Sequence, residues 1–271
     1  MRKVFFIIFF TFLLSCGDSS SNSNNPASGN PNNFTSYIIP LYSYPVGKYQ
    51  SEWEKLYNLS TSKRVYVIIN PSSGPGDTAD ANYLNTINKL KAKDFYVIGY
   101  VYTNYGNRNL EDVKNDINKW LSLYGAKKID GFFIDEVSNN VQKFDYYKDV
   151  YIFANSKGKL VILNPGTNVD LKFFNISDKI VVFESSVTDF EAFQYNNYSS
   201  INSDRVCTIV LSSPTDKVSF VKDKMLKNNS SCGYITDKAD NWKSGDSAYF
   251  YLSPYLNWEL KFGNYCTLQP I

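Results

Sequence analysis

Histidine is absent from all 271 residues. That removes Ser-His-Asp and Cys-His nucleophilic arrangements, His-ligated zinc and imidazole acid/base chemistry together. Any hydrolytic chemistry has to come from carboxylates, Lys, Tyr or Cys. A surplus of charge is missing too. Lys and Arg number 28 against 26 Asp and Glu, and two of the cations, Arg2 and Lys3, fall in an N-terminal leader. The 26 charges of each sign that remain give no reason to expect nucleic acid as a partner. There is no internal repeat and no glycine fingerprint for a dinucleotide. The run Ser72-Ser73-Gly74-Pro75-Gly76 lacks the Gly-Lys-Ser/Thr ending of a phosphate-binding loop and reads as a strand-to-helix connection.

The apolar run from Val4 to Leu14 is eleven residues long, too short to span a bilayer and right for the core of a secretion signal. It ends in Leu13-Leu14-Ser15-Cys16-Gly17, which resembles a bacterial lipobox, so residues 1–15 read as a lipoprotein signal and Cys16 as the lipid attachment point. Residues 16–35 then form a Ser/Asn-rich tether that cannot bury apolar surface. The expected location is the cell envelope, outer membrane or cell surface, with contact to a membrane through the anchor. Cysteine is otherwise sparse. In an oxidising compartment Cys207, Cys232 and Cys266 should yield one disulfide and one leftover thiol, with the pairing open.

Residues 36–271 are left for folding, enough for one large domain. Eight short apolar runs are bounded by Pro, Gly, Asn and Asp: Ile38–Tyr44, Arg64–Asn70, Tyr96–Thr103, Asp130–Glu136, Leu160–Asn164, Ile180–Glu184, Cys207–Leu211 and Gly233–Asp237. Helical periodicity appears between several of them. It is clearest over Asn82–Lys93 and Leu110–Leu123, and weaker over Phe144–Asn155 and Lys217–Lys227. Eight strands alternating with helices in one domain predict a (β/α)8 barrel, with a doubly wound open sheet as the alternative.

In such a barrel the chemistry sits where the strands end. Here those ends carry Asp135 and Glu136 on strand four, Glu184 on strand six and Asp237 on strand eight, with Asn70 and Asn164 on strands two and five. Placing acids directly after apolar strands is costly unless they are used. Glycosidic cleavage needs one protonated carboxyl for the leaving oxygen and one carboxylate for the anomeric centre or a water. Asp135, Glu136 and Glu184 are therefore the catalytic candidates. Glu136 is read as general acid/base, Glu184 as nucleophile or water-activating base, and Asp135 as the group that tunes Glu136, with the acid and base roles exchangeable. Asn70, Asn164 and Asp237 could bond sugar hydroxyls, and Tyr42 and Tyr102 could stack on sugar faces. The two Asn-Pro pairs are equally good turn formers. No cofactor is required, and no Asp-x-Asp loop accompanies the acids to hold a metal.

These segments also resemble a family. The ordered motifs Ile39-Pro40-Leu41-Tyr42-Ser43-Tyr44-Pro45, Asn70-Pro71-Ser72-Ser73-Gly74-Pro75-Gly76, Gly99-Tyr100-Val101-Tyr102-Thr103-Asn104-Tyr105-Gly106, Gly131-Phe132-Phe133-Ile134-Asp135-Glu136, Asn164-Pro165-Gly166-Thr167, Val182-Phe183-Glu184 and Tyr234-Ile235-Thr236-Asp237 are similar to the spherulin-4 family, placed in glycoside hydrolase family 135. The resemblance implies a (β/α)8 barrel and endo-cleavage of galactosaminogalactan, with Asp135, Glu136 and Glu184 matching the acidic cluster. It departs at the end of strand seven, where members often carry a His and this chain has Ser212-Ser213. The resulting expectation is a monomeric, lipid-anchored glycoside hydrolase acting on a galactosamine- or N-acetylgalactosamine-containing polysaccharide. The alternative is a non-catalytic carbohydrate-binding lipoprotein on the same barrel.

Overall fold

Eight parallel strands pair in sequence order and close into a barrel: β1 (Ser36–Pro40), β2 (Arg64–Ile69), β3 (Tyr96–Tyr102), β4 (Gly131–Asp135), β5 (Leu160–Leu163), β6 (Lys179–Ser186), β7 (Val206–Leu211) and β8 (Cys232–Ile235). The closing pair sets Ser36 opposite Cys232 and Tyr37 opposite Gly233. The computed structural model describes residues 33–241 and 245–256. The leader, Cys16, nearly all of the tether, Trp242, Trp258 and Cys266 lie outside the described residues.

Helices α1 (Gln50–Tyr57), α2 (Ala81–Lys91), α3 (Leu110–Tyr124), α4 (Phe144–Asn155), α5 (Val187–Ala192) and α6 (Val218–Lys227) ring the strands. Their starts follow local chemistry. Asp80 caps α2 by accepting from the amides of Asn82 and Tyr83, and Asn109 caps α3 by accepting from Glu111. α3 buries Val113, Ile117, Trp120 and Tyr124, one stripe at three- and four-residue steps. It ends at Gly125, whose φ of 95° a side chain would resist. After β5 no α-helix forms. A 3-10 segment, Leu171–Ile176, covers that face instead.

The eight expected strands all form, with ends shifted by a few residues. The largest shift is in β1, which stops at Pro40 rather than running to Tyr44. The physical reason lies across the barrel mouth. The Tyr42 amide leaves the strand ladder and donates to the Tyr249 carbonyl at 2.8 Å. Period-two alternation then decides what enters the barrel. A Cβ on Gly99 would lie 2.8 Å from the Trp120 ring, so position 99 faces α3 and its neighbour Tyr100 faces inward.

Cys207 and Cys232 are register partners on β7 and β8 and form a disulfide, with Cα atoms 4.4 Å apart. Both are fully buried. Closing a loop with a sequence separation of 25 removes unfolded-state freedom worth about 2–4 kcal/mol. Cys207→Ser/Cys232→Ser should lower the thermal midpoint accordingly. A midpoint unchanged by the double substitution would show that the bond constrains nothing the strand pairing does not already hold.

Candidate active site

The C-terminal strand ends assemble a carboxylate pair from β4 and β6. Asp135 ends β4, in register with Tyr102 of β3. Glu184 lies near the end of β6, two residues beyond a bulge at which Val182 has no partner on β7. Bulges re-aim the residues that follow them. Phe183 turns outward onto Phe190 and Phe193, at ring separations of 4.9 and 4.7 Å, and Glu184 turns toward the barrel mouth.

One amide joins the two acids. Asn164, immediately after β5 and 5 % exposed, donates from Nδ2 to Asp135 Oδ1 at 2.7 Å and to Glu184 Oε2 at 2.5 Å. Both N–H bonds of that amide are thereby used. Those two lengths bound the gap between the carboxylate oxygens at 5.2 Å. The Asn164 carbonyl oxygen accepts from the Gly166 amide at 3.1 Å, which fixes the orientation of the side chain. Glu184 Oε1 accepts a short hydrogen bond from the Tyr249 hydroxyl. Tyr100 lies beside Asp135 and favours its ionised form. The Tyr42 ring stands edge-on to Tyr100 and Tyr249, with centroids 5.6 and 5.2 Å away.

This environment moves both acids. Burial pushes the Asp135 carboxyl up, while donors from Tyr100, the Glu136 backbone and Asn164 pull it back. Burial, and then the negative charge of Asp135, raise Glu184 to about 7 against the donors Tyr249 and Asn164. Among the described residues no cation pairs with either acid. A cavity of about 370 Å³ opens beside Glu184, lined by Ser185, Ser186, Leu211, Ser212, Ala239 and Asp240.

Glu136 is placed differently. It has a left-handed backbone, φ 52°, and its carboxylate accepts from the Asn104 amide at 3.1 Å. Asp135 is therefore coupled to Glu184 through Asn164, rather than to its sequence neighbour as the sequence reading had it. Adjacent residues leaving a strand do not share a face. A strained non-glycine backbone beside a buried acid is the kind of feature that functional sites retain.

Asn70 and Asn164, alike in sequence, separate here. Asn70 Oδ1 accepts from the Gly74 amide at 2.9 Å and staples the β2–α2 loop, which is its turn-forming role. The Tyr102 ring already carries the Arg108 guanidinium 4.2 Å from its centroid, and lines a different cavity of about 280 Å³. Asp237 is exposed and meets Lys238 at 3.1 Å, so the acid that faces the Glu184 cavity from beyond β8 is Asp240 instead. The structure also adds Tyr100 and Tyr249, which the sequence reading did not pick. Tyr249 touches Glu184 across a separation of 65 residues, and no local pattern announces such a contact. Ser212, where a His was expected from the family, has φ 55° and donates its amide to the Lys238 carbonyl at 2.8 Å.

The profile of Spherulation-specific family 4 matches residues 36–257, the whole of the barrel. The chain belongs to the spherulin-4 family. Spherulin-4 of Physarum polycephalum is 38% identical over 167 residues, which cover 60% of this chain and 47% of that protein. The chain thus spans about half the length of this relative. A crystal structure of Aspergillus clavatus Sph3 in complex with GalNAc superposes with a TM-score of 0.70 at 24% identity, over 85% of this chain and 98% of the other. This likeness is one of fold, and the fold of this spherulin-4 member is a (β/α)8 barrel.

Proposed function

We propose that this spherulin-4 family member is a glycoside hydrolase that cleaves a galactosamine- or N-acetylgalactosamine-containing polysaccharide internally, with Glu184 and Asp135 as the working pair. The observation that carries this reading is the shared Asn164 amide: two half-buried carboxyls held within 5.2 Å and without a countercharge are expensive to assemble for structure alone. Glu184, raised to about 7, holds a proton near neutral pH and delivers it to the leaving glycosidic oxygen. Asp135, whose carboxyl burial pushes up and three donors pull back, faces the developing positive charge at the anomeric carbon. Glu136 completes the cluster from the rim. The sequence by itself points instead to Glu136 as general acid/base, Glu184 as nucleophile or water-activating base and Asp135 as the group that tunes Glu136.

The gap is short of the roughly 6.5–9.5 Å that leaves room for a water between the two carboxyls. Retention of anomeric configuration follows, through attack by Asp135 and then hydrolysis of the glycosyl-enzyme. The lipobox-like Leu13–Cys16 segment and the polar tether support an exported protein held at the envelope by lipid on Cys16. The family resemblance supports the substrate class.

The test is incubation of residues 36–271 with a galactosamine-rich polysaccharide and measurement of new reducing ends from pH 4 to 9. Activity should fall as pH rises through about 7, because the general acid must stay protonated. Early products read by proton NMR should show the anomer of the substrate. Binding without release would favour the lectin alternative, and absence of both would overturn the carbohydrate reading.

A further inference from the structure

Among the described residues, the segment after β8 adds no strand to the barrel, yet hydrogen bonds tie it down repeatedly. The Asp240 carboxylate accepts from the Ser247 hydroxyl at 2.9 Å and the Ala248 amide at 2.8 Å. The Ser247 hydroxyl accepts in turn from the Tyr249 amide at 3.1 Å. The Tyr249 carbonyl accepts from the Tyr42 amide. Glu52 of α1 is buried and accepts from the Leu252 amide at 3.0 Å, and the Tyr234 hydroxyl accepts from Ser253 at 2.8 Å. These bonds fix one side chain in particular. Tyr249 is 4 % exposed and its hydroxyl ends on Glu184 Oε1.

We propose that Tyr249 is a positioning residue for Glu184, and that Asp240 and residues 245–253 are a strap whose purpose is to hold it there. The inference deepens the reading of Glu184 as the acid and rests on it. Asn164 can only donate from Nδ2, so the oxygen it binds, Oε2, is kept as an acceptor. The proton of the neutral acid is thereby directed to Oε1. A tyrosine hydroxyl can both donate and accept. Tyr249 donates to Oε1 when Glu184 is ionised and can rotate to accept when Glu184 is protonated. It therefore holds the transferable proton at one defined atom, beside the cavity, and restores the carboxylate after transfer. Other groups facing Glu184 are Asp135 from β4, Asp240 from the strap and Tyr42 from the end of β1. None of them is a cation, so Tyr249 and Asn164 are the groups that favour the ionised form.

Tyr249→Phe keeps the ring and removes the donor. Losing a donor to the ionised form should raise the midpoint of Glu184 by about one to two units. The direct readout is the carboxyl carbon resonance of Glu184 in labelled protein, assigned by its loss in Glu184→Gln. In the pH–rate profile the alkaline limb should move up by the same amount, with unfolding by circular dichroism little changed. Ser247→Ala, which loosens the strap without changing charge and leaves the tyrosine in place, should move the resonance in the same direction by less. An unmoved midpoint in both variants would overturn the proposal, whatever the rate. If the midpoint moves while native protein releases no reducing ends, the positioning role stands and the hydrolase reading fails.

Discussion

Glu184→Gln should reduce the rate of reducing-end release by about 10²–10⁴-fold, the range contributed by a positioned general acid. Asp135→Asn should do comparable damage. Both substitutions keep side-chain size and alter only the ability to carry a proton or a charge, so the thermal midpoint should hold or rise, since each removes a buried ionisable group whose carboxyl is already pushed upward. The double variant is the more telling measurement. Asp135 and Glu184 share one amide and shift one another, so they should act as a unit. The double variant should then be scarcely slower than the worse single one, because effects within a catalytic unit do not add. Multiplicative losses would mean that the two acids work independently, and the coupling through Asn164 would lose its catalytic meaning. A Glu184→Gln rate within a factor of three of native would remove Glu184 from the mechanism.

The second large effect lies at the opposite end of the barrel. Asp204, 9 % exposed, accepts from Thr35 and Ser36 at 2.6 Å each, from Lys179 Nζ at 2.8 Å and from Arg64 at 2.8 Å. Lys179 is 4 % exposed and stands 4.7 Å over the Tyr66 ring. Asp204→Ala leaves that ammonium buried without its counter-ion, which should destabilise the fold by about 3–5 kcal/mol. Urea unfolding should show a lower midpoint with little change in slope. The pH dependence has a definite sign. Burial raises the Asp204 carboxyl, but Lys179 and the Ser36 and Thr35 hydroxyls together outweigh it, and the folded value ends below the ordinary one. The contribution is therefore complete above the unfolded carboxylate value of about 3.9 and is lost as pH falls through the lower folded value. Asp204→Ala should flatten the acid limb of the stability curve. A loss under about 0.5 kcal/mol would show that solvent reaches Lys179 once Asp204 is gone. This end is a stability face, opposite the strand ends that carry Asp135 and Glu184.

Much of this was visible in the linear chain. The eight strands and the helices α2, α3, α4 and α6 fall within a few residues of the apolar runs and periodic stretches, because each is specified by its own neighbours and caps. Asp135, Glu136, Glu184 and Asn164 were legible as strand-end residues, since barrel topology puts every strand end at one face. Their partnership was not. Asp135 was paired with Glu136 on the strength of adjacency, but backbone alternation and the left-handed turn at 136 send those two side chains to different partners. Asn70 and Asn164 were indistinguishable as Asn-Pro dipeptides. One closes a loop and the other bridges two acids, and the difference comes from which strands lie beside them.

The zero histidine count confines any hydrolytic chemistry to groups such as carboxylates, and the strand ends supply the candidates. Composition, period and topology can do that much because they act over a few residues or through a rule common to all such barrels. Which acid keeps its proton depends on burial, on a charge contributed by another strand and on a tyrosine 65 residues away in sequence. Those contacts come into being when the barrel closes and the strap folds back over its mouth, and their energies depend on distances that no stretch of chain encodes alone.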